Sequence, residues 1–205
     1  MKIFSLLILL AVLPCIAGEL TVSVPFDRSE LVVRQEGLFT SVSIPGMPSI
    51  FDQGSPALPI MPVRVALPTG CTATGVEITS ISWEALPGRY EIQPASGCVP
   101  ISAGVDQVQS LPDPHIYQRS EWFPGNPVQL ASSSVFWGIP VAYMNVNPVR
   151  WNPGSETVEV LTDLQLNITY QQDESTRLVS RRTQASESLA REIVGNFVVN
   201  PEGVS

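Results

Sequence analysis

Apolar and polar residues alternate with a period of two along much of this chain. In the first such segment, Leu20, Val22, Val24 and Phe26 alternate with Thr21, Ser23 and Pro25. Alternation of this kind is typical of β-strands that have one buried and one solvated face. The pattern predicts strands at residues 20–26, 38–44, 61–67, 76–83 and 158–170. One of these runs changes phase near Ser80, which predicts a β-bulge at that point.

Prolines and glycines separate the predicted strands. Leu86-Pro87-Gly88 and Asn152-Pro153-Gly154 are expected to form tight turns, because proline presets φ and glycine accepts positive φ. Residues 100–134 contain several prolines among polar residues and are expected to form a long surface loop. The chain offers no helices that could connect parallel strands, so the sheets are expected to be antiparallel. The predicted class is all-β, an antiparallel β-sandwich or distorted barrel with a short C-terminal helix.

The chain changes character after Tyr170. Residues 171–185 are polar and lack proline and glycine, and Ser186 is then a candidate N-cap for a helix. Leu189, Ile193 and Phe197 recur at a spacing of four, which predicts an amphipathic helix. Such a helix packs either on the β-domain or on a partner element. The pattern leaves both possibilities open.

The N-terminal segment has the layout of a secretory signal peptide. Lys2 is followed by an apolar run from Ile3 to Leu13, and small residues then provide a cleavage site after Ala17 or Gly18. The run is shorter than the ~20 residues that a transmembrane helix requires. The protein is therefore expected to be secreted or periplasmic, with no membrane association after signal removal. The predicted units are a signal peptide (1–18), a β-domain (19–172) and a polar linker with a helix (173–205).

Charge excludes two classes of partner. The sequence has 19 acidic and 11 basic residues, a net charge of −8, and its only lysine is Lys2. A nucleic-acid-binding protein needs a basic stripe to displace counterions, so nucleic acid is not an expected partner. Adhesion to an anionic membrane surface is disfavoured for the same reason. A hydrophobic content of 44% also excludes a disordered acidic tail.

Side chains suited to catalysis or metal binding are scarce. The sequence has one histidine, His115, and no metalloprotease, phosphate-loop or dinucleotide-binding motif, so neither a metal nor a cofactor is expected. Cys71 and Cys98 remain after signal removal, and export makes a disulfide between them plausible, although two separate buried thiols are equally compatible. The four tryptophans are expected to lie mainly in the core, with a carbohydrate-binding platform as the alternative. They are Trp83, Trp122, Trp137 and Trp151.

Several segments, read in order, resemble the propeptide domain of gingipain-type secreted cysteine peptidases. The family shows a G-x-P-x-L-P segment, then an apolar strand that ends in Leu-Pro-x-Gly, and later a V-x-P-v-x-Y/W-N-P turn before a long strand that ends, here, at Tyr170. The matching segments here are residues 54–59, 63–70, 92–95, Tyr117, Phe123-Pro124 and 146–153.

This resemblance implies a β-sandwich prodomain that helps a caspase-like cysteine peptidase domain to fold and holds it inactive, in cis or in trans. It assigns no catalytic residue to this chain, because the family's His–Cys dyad lies downstream of the propeptide. Residues 173–205 are expected to lead towards such a peptidase domain, which the sequence does not contain. Whether the chain is part of a longer peptidase or a separate prodomain stays open.

The resemblance also suggests roles for four arginines. Prodomains of arginine-specific gingipains present a basic side chain to the primary specificity pocket, and Arg119 is the best counterpart here; the alternative is a solvated loop arginine. Arg177, Arg181 and Arg182 lie in the polar linker, where exposed backbone is easily cleaved, and are candidate processing sites. A charged tether that only improves solubility explains the same three residues.

Two other functions remain as alternatives. The first is a secreted β-sandwich binding or adhesion module that uses the tryptophans or the 100–134 loop. The second is an active fragment with Cys71 or Cys98 as nucleophile, which the position of His115 between Pro114 and Ile116 makes unconvincing.

Overall fold

A computed structural model describes residues 17–96, 110–176 and 183–204. The described strands are β1 Ala17–Ser23, β2 Val32–Glu36, β3 Phe39–Ser43, β4 Met61–Ala66, β5 Cys71–Ala85, β6 Val128–Phe136, β7 Ile139–Val146, β8 Val149–Asn152 and β9 Thr157–Gln172. The α-helices are α1 Pro114–Tyr117 and α2 Gln184–Gly195, and short 3-10 helices cover Arg28–Glu30, Glu174–Thr176 and Pro201–Gly203. In the part of the chain that the structure describes, no helix is long and apolar enough to cross a membrane.

All the pairings between these strands are antiparallel, as the lack of connecting helices predicted. The longest strand, β9, pairs with β5 along one edge and with β1 and β8 along the other. A second sheet has the order β4-β7-β6, and β2 and β3 form a separate hairpin. Across the described residues these ladders remain open, so the fold is a sandwich and the barrel alternative does not apply.

The main core lies between the β1-β9-β5 sheet and the β4-β7-β6 sheet. Alternate residues of β9 are buried, including Leu164, Leu166 and Ile168, and they face Val63 and Val65 of β4 and their neighbours. The predicted bulge is confirmed, because the register between β5 and β9 shifts between Ile78 and Ser80. Two further shifts allow the 15-residue β5 to twist along its longer partner.

A second core lies beyond the end of the sandwich, where β8 and β9 continue past the main sheet. It contains Val149 and Trp151 from β8, together with buried side chains from three loops or strands that are distant in sequence. Those side chains are Val42, Leu58 and Ile92, and Tyr117 and Phe123 pack against them from the long loop. This second core therefore fixes the root of the loop to the end of the β-domain.

Helix α2 packs on the β-domain, which resolves the two possibilities that its amphipathic pattern left open. Val194, Val198 and Val204 are buried against Ala66 of β4 and Val141 of β7. The predicted face was partly wrong: Leu189 is 49% exposed, whereas Ala190 and Val194 are buried. The buried face is therefore shifted by one residue from the predicted one.

The predicted N-cap of α2 was also wrong. Thr183 is the N-cap, and its hydroxyl accepts a hydrogen bond from the Ser186 backbone N–H. Ser186 donates its own hydroxyl back to the Thr183 carbonyl at 2.8 Å, so it completes the cap from the third helical position.

The long surface loop is shorter than predicted. Residues 110–127 do lie outside the sheets, but β6 begins at Val128 and α1 forms a single helical turn inside the loop. Sequence periodicity missed β6 because most of its residues after Leu130 are half-buried or exposed serines and alanines at an edge of its sheet. Edge strands of this kind carry little apolar alternation.

Candidate functional site

The candidate site is the loop of residues 110–127, which pairs through Phe123 with Trp151 of β8. Its first turn, α1, begins at Pro114, and the Asp113 carboxylate caps it by accepting a hydrogen bond from the His115 N–H at 2.8 Å. Proline in the first helical turn loses no backbone hydrogen bond there, so the sequence Asp-Pro favours this local structure. The helical turn places Tyr117 in contact with Trp151 of β8.

Tyr117 anchors the near side of the loop. Its ring contacts the Trp151 indole edge-to-face with centroids 5.0 Å apart, and its hydroxyl donates to the Ile92 carbonyl at 2.8 Å. The indole Nε1 of Trp151 in turn donates to the Tyr90 carbonyl at 2.8 Å, so the anchor itself is fixed. Burial, followed by repulsion from Glu91, raises the pKa of the Tyr117 phenol well above its usual range. Tyr117 is therefore neutral and available as a hydrogen-bond donor.

The far side of the loop is held by the turn between β8 and β9. The Asn152 side-chain amide donates to the Ser120 carbonyl at 2.9 Å. Three residues later, the backbones of Phe123 and Trp151 exchange two hydrogen bonds, each of 2.8 Å. Both flanks of the residue pair Arg119-Ser120 are thus attached to β8.

Trp122 adds a third attachment through Arg150. The Arg150 guanidinium carbon lies 4.5 Å from the centroid of the Trp122 ring and 4.4 Å from that of Trp83, so the cation is stacked between two indoles. Its Nε and Nη2 atoms both donate to one oxygen of Glu159, at 2.7 and 2.5 Å. This cluster connects the loop to β5, β8 and β9.

Arg119 is exposed at the tip of this restrained segment. Its side chain is 62% accessible, and its nearest charged partner is Glu121, with 3.8 Å between guanidinium nitrogen and carboxylate oxygen. Ion pairs of this length between exposed groups contribute little, so the guanidinium is free to exchange partners. The backbone N–H of Arg119 donates to the Ile116 carbonyl at 3.2 Å, and this hydrogen bond ties the Arg119 backbone to helical turn α1. The guanidinium of Arg119 is therefore exposed to solvent, whereas the backbone on either side of it is attached to β8.

The family profile named Propeptide_C25 matches residues 19–200 of this chain. The chain belongs to the Propeptide_C25 family. The gingipain-type propeptide resemblance drawn from the sequence is thereby confirmed. The match covers all the strands except the first two residues of β1, all of α2, and the segment after α2 as far as Asn200, so the second core and the candidate loop both lie inside the family's boundaries.

Curated relatives include Lys-gingipain and Lys-gingipain W83 of Porphyromonas gingivalis, each 24% identical over 155 residues. The alignment covers 73% of this chain but only 9% of either relative, so the chain spans a small part of their length. The family match identifies this part as a propeptide domain.

Two solved structures share the fold. One is a complex of the pro- and mature domains of RgpB from P. gingivalis, with a TM-score of 0.66, 19% identity, and coverage of 90% of this chain and 93% of that one. The other concerns the zymogenic latency of gingipain K from P. gingivalis, with a TM-score of 0.54, 18% identity, and coverage of 76% and 99%. The predicted all-β prodomain fold is confirmed by these matches.

Five of the six segments that carry the propeptide resemblance meet in the second core, whereas residues 63–70 contribute to the main core. Leu58 comes from the G-x-P-x-L-P segment, Ile92 from residues 92–95 and Trp151 from the segment before the long strand, while Tyr117 and Phe123 come from the loop. Their order in the sequence therefore reflects one packed cluster beneath the candidate loop. What the sequence did not reveal is that Arg150 and Asn152, inside the 146–153 segment, also hold the loop.

Of the predicted cleavage residues, those at the signal-peptide boundary are described by the structure and those in the polar linker are not. Ala17 and Gly18, the predicted signal-cleavage positions, begin β1 and pair with Gln171 and Tyr170. The predicted processing residues Arg177, Arg181 and Arg182 lie outside the described residues, as does most of the predicted signal peptide.

Cys71 is a buried free thiol at the start of β5, and Cys98 lies outside the described residues, so the disulfide stays a prediction. Burial raises the pKa of the Cys71 thiol. A raised pKa opposes formation of the thiolate that a nucleophilic cysteine requires, which argues against the active-fragment alternative for Cys71.

The four tryptophans do not form a shared platform. Trp151 is 2% exposed, so the expectation of a core tryptophan holds for this residue. Trp83 and Trp122 each present a face to Arg150, and Trp137 lies at the tip of the β6–β7 hairpin with 46% exposure. Among the residues whose placement is described, no group of three or more His, Cys, Asp or Glu side chains is arranged to hold a metal ion.

Proposed function

We propose that this chain is the inhibitory prodomain of a secreted gingipain-type cysteine peptidase, and that its Arg119 loop enters the peptidase's substrate cleft. The single observation that carries the proposal is an exposed arginine on a loop whose two flanks are fixed to β8. A restrained loop loses little conformational entropy on binding, which favours tight occupation of a cleft.

The chemistry of Arg119 defines the pocket that it fits. Its guanidinium forms directional hydrogen bonds with a carboxylate, so a specificity pocket with an acidic residue at its base would bind it. The competing pair with Glu121 is long and solvent-screened and would be given up at small cost. The net charge of the chain is acidic, so this attraction is local to the loop.

The remaining parts of the proposal concern folding and maturation. The prodomain would assist folding of the caspase-like peptidase domain, in cis or in trans, after export directed by residues 1–18. Cleavage after Ala17 or Gly18 would remove the signal, and cleavage at Arg177, Arg181 or Arg182 would release the peptidase from the prodomain. N-terminal sequencing of the secreted and processed products tests both assignments. A processing terminus within β1–β9 would contradict the second.

Inhibition is tested with the purified chain against an arginine-specific gingipain and against Lys-gingipain. We expect Arg119→Ala to raise the inhibition constant for the arginine-specific enzyme by at least about 30-fold, as for a buried interface arginine. Arg119→Lys should shift the preference towards Lys-gingipain. The matched control is Arg191→Ala, which removes an exposed arginine from α2 and should change inhibition less than about twofold. Unchanged inhibition by Arg119→Ala would refute the role of this loop.

A further inference from the structure

The two sides of the Arg119–Ser120 peptide bond are attached to adjacent residues of one strand. On the amino side, Tyr117 packs on Trp151 with ring centroids 5.0 Å apart. On the carboxyl side, the Ser120 carbonyl accepts a 2.9 Å hydrogen bond from the amide of Asn152. If the peptide bond between them were broken, neither new end would be free to leave.

The Asn152 amide has a fixed orientation. Its Oδ1 atom accepts a hydrogen bond from the Ser155 backbone N–H at 3.1 Å, which forces the Nδ2 group to face Ser120. The amide therefore bridges the β8–β9 turn and the loop, and each of its ends has one defined partner.

Gly154 brings the same turn into close contact with Ser120. A Cβ atom at position 154 would lie 2.6 Å from the Ser120 Oγ, 2.9 Å from its Cβ and 3.1 Å from its Cα. The approaches to the Oγ and Cβ atoms of Ser120 are closer than real Cβ atoms show, so a side chain at position 154 would require Ser120 or the turn to shift. The turn Asn152-Pro153-Gly154 thus packs directly against Ser120 and fixes its position.

We propose that Asn152 and Gly154 protect the Arg119–Ser120 peptide bond from net cleavage by the peptidase whose substrate cleft the loop occupies. They do so by holding Ser120 in place, so that a cleaved bond is resynthesised. This inference rests on the proposed insertion of Arg119 into the specificity pocket. Asn152 is a positioning residue, because it acts on the reacting bond only through Ser120.

The chemistry is a reversible acyl transfer. The peptidase's thiolate attacks the carbonyl carbon of Arg119, the C–N bond to Ser120 breaks, and the Ser120 nitrogen takes a proton from the peptidase's general acid. A thioester to Arg119 and a free Ser120 amine result. In the reverse step the neutral amine attacks the thioester carbonyl and returns its extra proton to the same peptidase group, now acting as a base, so the peptide bond re-forms and the thiolate is expelled.

Resynthesis competes with hydrolysis because the amine remains close. A group held on the same scaffold has an effective concentration far above that of a free peptide, and it also blocks the approach of water from the leaving-group side. Loss of the Asn152 hydrogen bond would let the Ser120 end move away, so that water completes the cleavage. The chain would then change from an inhibitor to a substrate.

The decisive variant is Asn152→Asp, with Asn196→Asp as its matched control. Aspartate keeps an oxygen for the Ser155 N–H but replaces the donor to Ser120 with a second acceptor. Asn196→Asp makes the same chemical change at the exposed end of α2, outside the loop of residues 110–127. The purified chain is incubated with saturating arginine-specific gingipain, and mass spectrometry follows the fragment that ends at Arg119.

We expect this cleavage to be about tenfold faster in Asn152→Asp than in the parent, which corresponds to loss of one well-formed hydrogen bond, and unchanged in Asn196→Asp. Gly154→Ala should accelerate it in the same way by displacing Ser120. Parent chain cut at this bond should be partly resealed by the enzyme, whereas cut Asn152→Asp should not.

The outcomes separate this inference from the proposed function. If Arg119→Ala weakens inhibition but folded Asn152→Asp and Gly154→Ala are cleaved no faster than the parent, the inference is wrong and the function stands. If Arg119→Ala has no effect, the function itself fails. Should Asn152→Asp not fold, as judged by urea unfolding, Gly154→Ala and the resealing assay decide the matter.

Discussion

The side chain of Asn200 forms two hydrogen bonds with the backbone of Ala66. Its Oδ1 accepts from the Ala66 N–H at 2.8 Å, and its Nδ2 donates to the Ala66 carbonyl at 3.0 Å. Asn200 is 3% exposed, and the preceding Val199 N–H donates to the Arg64 carbonyl. The segment after α2 thereby provides hydrogen-bond partners for backbone groups at the outer edge of β4, which would otherwise be unpaired.

Asn200→Ala should destabilise the protein by about 2–4 kcal/mol, because it leaves both buried Ala66 groups without partners. Urea unfolding measures the change, and limited proteolysis should show earlier cleavage after α2. Asn196→Ala, at the exposed end of α2, is the control and should change stability by less than about 0.5 kcal/mol. Equal unfolding midpoints for Asn200→Ala and the parent would show that Asn200 does not hold this edge.

Arg150→Ala should lower the free energy of unfolding by about 2–3 kcal/mol, since it removes two indole contacts and leaves the half-buried Glu159 carboxylate unpaired. Arg150→Lys should recover less than half of this, because an ammonium group cannot stack on both rings while bonding Glu159. Urea unfolding measures stability, and acrylamide quenching should report greater exposure of tryptophan. Arg34→Ala, in the exposed strand β2, serves as the control. If Arg150→Lys equals the parent, stacking is not the source of the stability.

Sequence periodicity identified strands where one face of the sheet meets solvent. Val158, Val160, Leu164, Leu166 and Ile168 fall on the predicted buried face of β9, and the bulge near Ser80 lies where the phase changes. It failed for β7, which lies between β4 and β6. Met144 and Ala142 face the main core while Val141 faces α2, so both sides are apolar and no alternation is visible.

The candidate site was only partly predictable for a different reason. An exposed Arg119 in a long loop can be inferred from local composition, and the loop tip does carry it. The hydrogen bond between Asn152 and Ser120 joins residues 32 positions apart, and no local pattern encodes such a contact. The packing of Tyr117 on Trp151 likewise depends on how the loop folds back over β8.

Because of Tyr117, the free energy of unfolding should fall as pH rises in the alkaline range. Its pKa is raised in the folded protein, mainly by burial, so the folded state retains the proton at pH values where the unfolded chain, with a pKa near ~10, has lost it. The stabilisation is complete below that value and is lost as pH rises above it. Tyr117→Phe should be less stable at neutral pH by about 1 kcal/mol, through loss of the bond to Ile92.

The measurement is urea unfolding of both proteins between neutral pH and pH values above ~10. The difference between the parent and Tyr117→Phe should shrink and then reverse its sign, because only the parent must keep a buried phenol protonated. Other titrating groups are common to both proteins and cancel. A difference that stays constant over this range would contradict the assigned role of Tyr117.

Gly54 joins the start of the candidate loop to the β-domain, and its replacement should loosen the loop at its root. Its backbone has a φ of 83°, its carbonyl accepts from the Asp113 N–H at 2.9 Å, and its own N–H donates to the Ala95 carbonyl at 3.0 Å. A Cβ at this position would lie 3.0 Å from the Leu111 carbonyl oxygen. Both the backbone angle and the close approach therefore require glycine.

Gly54→Ala should cost about 2–4 kcal/mol in unfolding free energy, part from the positive φ and part from displacement of Leu111. Gly46→Ala separates the two parts, because Gly46 has a similar φ of 79° but nothing within 4 Å of its would-be Cβ. It should cost only about 1 kcal/mol. Gly54→Ala should also weaken inhibition of an arginine-specific gingipain, since Asp113 caps the helical turn that positions Arg119, whereas Gly46→Ala should not. Equal costs for the two variants would mean that the contact with Leu111 yields freely and that the root of the loop is not held at Gly54.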